Sequence, residues 1–123
     1  MAKIVEEMAG GAVSKVSSGG TVRYSAPELI EGNNVSATMH SDTYSFAMLT
    51  LECITEEVPF SHISRDAAVV YARIAKRQRP YRPDGQDPKN YVSDDLWDLM
   101  MRCWSDEPDN RPTMEQTHSF FLH

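Results

Sequence analysis

Residues 42–54, DTYSFAMLTLECI, carry apolar or small side chains on nearly every face of a 3.6-residue period. A helix of that kind is surrounded by protein rather than laid on a surface, so this segment is predicted as the central, buried helix. Ahead of it, residues 10–21 (GGAVSKVSSGGT) show no sustained apolar period and read as a loop. SAPELI follows, with Pro27 placed to open a short helix, since proline lacks only an N–H that is unpaired there anyway. EGNN, at residues 31–34, is expected to end it.

Ser64 is positioned to cap a helix over residues 65–76, whose AAVVYARIA pattern gives one apolar side. Its basic end, with Arg73, Lys76 and Arg77, suits the negative pole of the helix dipole. RPYRPDGQDP breaks the pattern. Ser93, with Asp94 and Asp95 behind it, starts another helix in which Leu96, Leu99, Met100, Cys103 and Trp104 recur on one face. That helix should end near Trp104. Thr113 and Gln116 have the spacing of a capping box for a last helix reaching Phe120. No convincing strand appears, so the expected fold is all-α, about five helices around a buried central one.

Composition narrows the class without naming it. A chain of 123 residues with 41% hydrophobic and 24% charged residues has room for one domain and one core. The net charge of −6, with no Lys/Arg stripe, argues against nucleic acid or an anionic membrane as partner, because both require neutralised phosphates. Glu6 and Glu7 interrupt what a signal peptide would need as an apolar run, and no stretch approaches the ~18 apolar residues of a membrane span. The expected setting is intracellular, most simply cytoplasmic. Cys53 and Cys103 sit in apolar periodic segments with no metal spacing, and both are expected as buried thiols. His40, His62, His118 and His123 are scattered, and no zinc site is expected.

Three stretches, in this order, carry the chemistry: GGTVRYSAPELI at residues 19–30, SDTYSFAMLTLE at 41–52 and CWSDEPDNRPT at 103–113. Together they resemble the C-terminal lobe of a protein kinase domain, beginning just after the D-F-G position. Residues 1–25 would be an activation-loop segment and residues 26–123 the helical lobe, with the N-terminal lobe absent. Ala26, Pro27 and Glu28 match the triplet that closes the activation loop. The resemblance implies a buried ion pair between Glu28 and Arg111, a geometry that a planar guanidinium serves better than lysine. It also implies that Asp42 anchors the backbone of the catalytic loop, although an aspartate there would equally serve the helix dipole. Leu49 and Cys53 would support the apolar stack that reaches the adenine pocket, or would simply be core. Trp104 would pack beside the ion pair.

Gly20 and Thr21 resemble the Gly-Thr of serine/threonine kinases, in which the threonine hydroxyl braces the catalytic groups. With CW and RPT retained, the closest resemblance is to the tyrosine-kinase-like branch of Ser/Thr kinases. Ser25, Ala47 and Glu56 depart from the family pattern, which puts in question the fine shape of the substrate loop. Glu56 stands where a glycine is usual.

The motifs that perform phosphoryl transfer do not occur in these residues: no G-x-G-x-x-G, V-A-I-K, H-R-D or D-F-G is present. ATP and Mg²⁺ belong to the family's chemistry, but neither is expected to bind this chain alone, and no catalytic residue or metal ligand is assigned within it. Ser14, Ser17, Ser18 and Thr21 lie where such kinases are switched by phosphorylation; the alternative is an unmodified Ser/Gly loop. Two functions stay open: part of a Ser/Thr kinase that acts on protein substrates, or a non-catalytic helical module that docks proteins through residues 65–76. Either way, a marginally stable or aggregating chain is expected.

Overall fold

The computed structural model describes residues 21–32 and 36–122 of the chain. Ser14, Ser17, Ser18, Gly20 and the MAKIVEE segment lie outside the described residues, as does the side chain of Thr21. Among the described residues there are five α-helices, three short 3-10 turns and no strand. The helices are α1 (Pro27–Glu31), α2 (Met39–Thr55), α3 (Asp66–Ile74), α4 (Asp94–Cys103) and α5 (Met114–Phe121).

α2 is the organising element, and it begins earlier than its apolar pattern suggests. Thr38 and Ser41 form a capping box: the Ser41 N–H donates to Thr38 Oγ1 at 3.1 Å and the Thr38 N–H donates to Ser41 Oγ at 2.7 Å. Two orphan donors are satisfied at once, so the helix starts at Met39 and Asp42 falls within its first turn. At the other end Glu56 takes the left-handed conformation, φ 59 and ψ 23, while its N–H donates to Glu52 O. A Cβ is disfavoured there, which is the physical reason for glycine at such a position.

The other helix starts follow the sequence in three cases of four, beginning with Pro27, which opens α1. Ser93 Oγ accepts from the Leu96 N–H at 3.1 Å, and Thr113 with Gln116 closes a full capping box. Ser64 does not cap α3. Arg65 stands at that position with no side-chain cap, and the helix runs from Asp66 to Ile74 rather than over residues 65–76. Asp66 supplies negative charge to the first turn. The helix closes at Ile74 with Ala75 at its C-cap, so Lys76 and Arg77 of the basic run lie beyond it, and Arg77 adopts φ 53.

α2 buries Tyr44, Ala47, Met48 and Leu51, and packs on α4 and on the turns Pro88–Asn90 and Pro108–Asn110. Leu99, Met100 and Trp104 meet it from the α4 side and Val69 from α3. Truncating such a residue to alanine costs about 2–5 kcal/mol, through lost transfer energy and the cavity left behind. Cys103 is buried as expected, but Cys53 is exposed. The helix is not enclosed all round: Phe46, Leu49, Thr50 and Cys53, spaced three to four apart, share a face that is only half covered. Its small and apolar composition gave no polar mark by which that face stood out. No described helix is long and apolar enough to cross a membrane.

Candidate functional site

The segment between the first described turn (Thr21–Arg23) and α1 is tied down by the rest of the chain along its whole length. Arg73, on α3, donates from Nη1 to the Val22 carbonyl. Ser45 Oγ of α2 donates to the Tyr24 carbonyl at 3.0 Å, and the Tyr24 hydroxyl donates to Glu52. Arg23 turns inward: its guanidinium donates to the carbonyls of Pro59 (3.0 Å), Phe60 (2.9 Å) and Ile63 (2.7 Å), and its Nε to Asp66 at 3.0 Å. Hydrogen bonds from an ionised donor are about twice as strong as neutral ones, so this side chain fastens the loop after α2 onto the segment.

At the far end Arg111 Nη1 and Nη2 donate to the two oxygens of Glu28, each at 2.8 Å. The arginine side chain is fully buried, and it also donates to the carbonyls of Ser105 (2.9 Å) and His40 (3.0 Å). A buried guanidinium needs its donors satisfied as well as its charge matched, and here both conditions are met. Tyr44 sits between two such groups, with the guanidinium carbons of Arg73 and Arg111 each 5.0 Å from its ring centroid. Arg73 is also 5.7 Å from the Phe60 ring, so aromatic faces surround it in place of a carboxylate. Its Nε and Nη2 have no hydrogen-bond partner among the described residues.

Burial pushes the Tyr24 phenol well above its ordinary range, and the neighbouring Glu52 adds to the effect. The Cys103 thiol is pushed up to about 11, again by burial first. Both groups are therefore neutral at physiological pH and serve structure rather than nucleophilic chemistry.

The residues singled out by sequence fall into groups. Glu28 and Arg111 are brought together, and Trp104, 0% exposed, lies in the same core. Asp42 is half-buried in the first turn of α2. Leu49 is half-buried, while Cys53 is exposed and so is not core support within this chain. Sequence reasoning gave Arg23 no role and read Arg73 only as a basic partner of the helix dipole, whereas it is buried. For Arg73 a signal existed: it follows Val69 by four positions and so shares the buried face of α3 with Val69 and Ala72. His62 is also not isolated, because its ring stacks on Tyr81 at 4.4 Å.

Comparison with known proteins agrees with this architecture. Residues 1–121 match the family described as protein tyrosine and serine/threonine kinase, and the chain belongs to that family. It is 40% identical over 100 residues to a probable serine/threonine-protein kinase of Dictyostelium discoideum, covering 81% of this chain and 6% of the relative. It is 39% identical over 94 residues to the proto-oncogene tyrosine-protein kinase ROS of Rattus norvegicus, covering 75% of this chain and 4% of that protein. To ankyrin repeat and protein kinase domain-containing protein 1 of Mus musculus it is 31% identical over 93 residues, covering 76% of this chain and 12% of the relative. The chain thus spans a small fraction of the curated relatives it matches.

The family normally uses ATP and Mg²⁺. Among the described residues no group of three or more His, Cys, Asp or Glu side chains is placed to hold a metal ion.

Proposed function

We propose that this chain forms the substrate-facing helical part of a protein Ser/Thr kinase, which transfers the γ-phosphoryl group of ATP to protein hydroxyls. In this reading residues 1–25 are activation-loop segment and residues 26–123 helical lobe. Thr21 and the residues up to Glu28 form the platform against which a protein substrate lies, and Asp42 supports the catalytic loop. Leu49 and Trp104 support the platform from beneath, and Ser14, Ser17, Ser18 and Thr21 are candidate phosphorylation sites. The setting proposed is intracellular.

The observation that carries this reading is the fastening of the segment at both ends, by Arg23 and Arg73 near its start and by Arg111 at Glu28. A platform for an incoming hydroxyl must hold its geometry before the substrate arrives, because orientation is where much of the barrier to phosphoryl transfer is removed. The chemistry itself needs a phosphate-binding lysine, a nucleophile-orienting aspartate and metal ligands, and the motifs that carry them do not occur in these 123 residues. The chain alone is therefore proposed to be inactive. Purified chain should show no phosphate incorporation into protein substrates and no ATP binding in a calorimetric titration. A micromolar ATP affinity, or turnover by this chain alone, would overturn the assignment.

A second reading, a non-catalytic docking module, draws on α3. Tyr71 is 60% exposed there, with the Lys76 ammonium 5.8 Å from its ring, an amphipathic pair suited to protein contact. A pull-down in which Tyr71→Ala abolishes capture of a partner by the inactive chain would favour this module.

A further inference from the structure

A cavity of about 320 Å³ opens between the end of α2, the loop that follows it and the proline-rich connection from α3 to α4. None of its lining residues belongs to the platform segment, although Arg23 of that segment holds the loop from which Pro59 and Phe60 enter the lining. Leu51, Pro59 and Phe60 contribute apolar surface, and the rings of His62 and Tyr81, stacked on each other at 4.4 Å, make up an aromatic wall. The volume falls at the small end of the range for ligand sites, enough for one side chain with its flanking backbone.

The charges around this cavity are unbalanced. Glu57 and Asp84 line it, both exposed, and neither has an ion-pair partner among the described residues. Each uses one oxygen locally: Glu57 Oε2 accepts from Ser61 Oγ at 3.1 Å, and Asp84 Oδ1 accepts from the Gln86 N–H at 2.9 Å. The cation of the lining, Arg82, is already engaged by Asp94 at 2.6 Å and by the Val92 carbonyl at 2.9 Å. The cavity therefore combines an aromatic face, an apolar floor and two carboxylates with acceptor capacity to spare.

We propose that this cavity binds an arginine side chain presented by an extended segment of a partner protein. A guanidinium is the group that uses all three features. Its plane stacks on an aromatic face, its weak hydration lets it approach an apolar floor, and its fork of donors suits carboxylates. An ammonium would satisfy the charge but not the stacking. The wall is also held in place beforehand, because Arg23 fixes the carbonyls of Pro59, Phe60 and Ile63 from the opposite side of the same loop. Less ordering is then needed on binding.

The test is an NMR titration of the 123-residue chain with acetyl-Gly-Arg-Gly-amide, with citrulline, lysine and glutamate versions of the same peptide as comparisons. The arginine peptide should give saturable shifts at His62, Tyr81 and Asn90, with the citrulline and lysine peptides about tenfold weaker and the glutamate peptide silent. Tyr81→Ala, and separately the Glu57→Gln/Asp84→Asn pair, should each weaken the arginine peptide about tenfold. These side chains are exposed, so the variants should keep the parent circular dichroism spectrum. Absence of saturable shifts, equal binding of citrulline or lysine, or indifference to both variants would overturn the proposal. So would a concentration-dependent dimer of the chain itself whose interface is removed by the same substitutions, since the occupant would then be a second copy.

Discussion

Arg111 and Glu28, 83 positions apart in sequence, meet through two parallel hydrogen bonds of 2.8 Å. The arginine is sealed from solvent and the glutamate side chain is 25% exposed, so the two partners differ in what their loss would cost. Arg111→Met should destabilise the chain by about 3–5 kcal/mol, because it leaves a carboxylate and two carbonyls without their donor. Glu28→Gln should cost less, since the amide still accepts one bond and the arginine keeps its carbonyl partners. Urea unfolding of both variants and of the double variant would measure this. Additive effects would mean that the pair does not act as a unit.

Arg23 is expected to matter more than its ion pair. Its bond to Asp66 reaches a carboxylate that is 39% exposed, whereas its other three bonds end on backbone carbonyls of the loop after α2. Asp66→Asn should therefore cost no more than about 1 kcal/mol. Arg23→Met should cost roughly 3 kcal/mol, at about 1.5–3 kcal/mol for each charged hydrogen bond less what water recovers. Hydrogen exchange should also speed up at residues 59–63 in Arg23→Met while the α4 amides stay protected.

The two thiols should separate cleanly. Cys53 is exposed and Cys103 is buried, so a thiol reagent in excess at pH 8 should modify one cysteine rapidly in the folded chain. The second should react only on the timescale of unfolding. Mass spectrometry after partial labelling should place the first adduct at Cys53.

Alkaline pH should weaken the fold. The unfolded Cys103 thiol releases its proton from an ordinary value of 9.0, while the folded thiol holds it up to about 11. Between those values the unfolded chain binds fewer protons, so stability is complete below about 9 and is lost as pH rises toward 11. Tyr24, raised by burial and by Glu52, adds a loss of the same sign at higher pH. The urea midpoint should fall across this window, and Cys103→Ala should fall less steeply from its own lower starting point.

Glu56 offers a gain. Its φ of 59 costs a residue with a Cβ about 1–2 kcal/mol, whereas glycine forfeits about 0.5–1 kcal/mol of unfolded-state entropy. Glu56→Gly should therefore raise stability by up to about 1 kcal/mol. Glu56→Val should lower it. Thermal unfolding of the two variants would check the sign.

How much of this was legible beforehand depended on the range over which each signal acts. Local signals were readable: Ser93 and the Thr113/Gln116 box act within one turn, and they form. The start of α2 was misplaced because apolar content marks where a helix is buried, whereas Thr38 and Ser41 mark where it begins. The contact between Glu28 and Arg111 leaves no trace in periodicity and came only through resemblance to a family. Arg23 was given no role and Arg73 only a dipole role because an arginine looks like solvated charge until the carbonyls it will meet are known. Cys53 was misread because a half-covered helix face made of small and apolar residues looks the same as a fully covered one.

Trp104 is fully enclosed, has no acceptor for its indole N–H among the described residues and lies edge-on to Trp97 at 5.5 Å. An indole so shielded from water fluoresces toward the blue, and it moves to the red once solvent reaches it. The chain thus carries its own optical gauge within the core around α2. Its emission maximum reports, without any added label, whether that core stays closed in each of these variants.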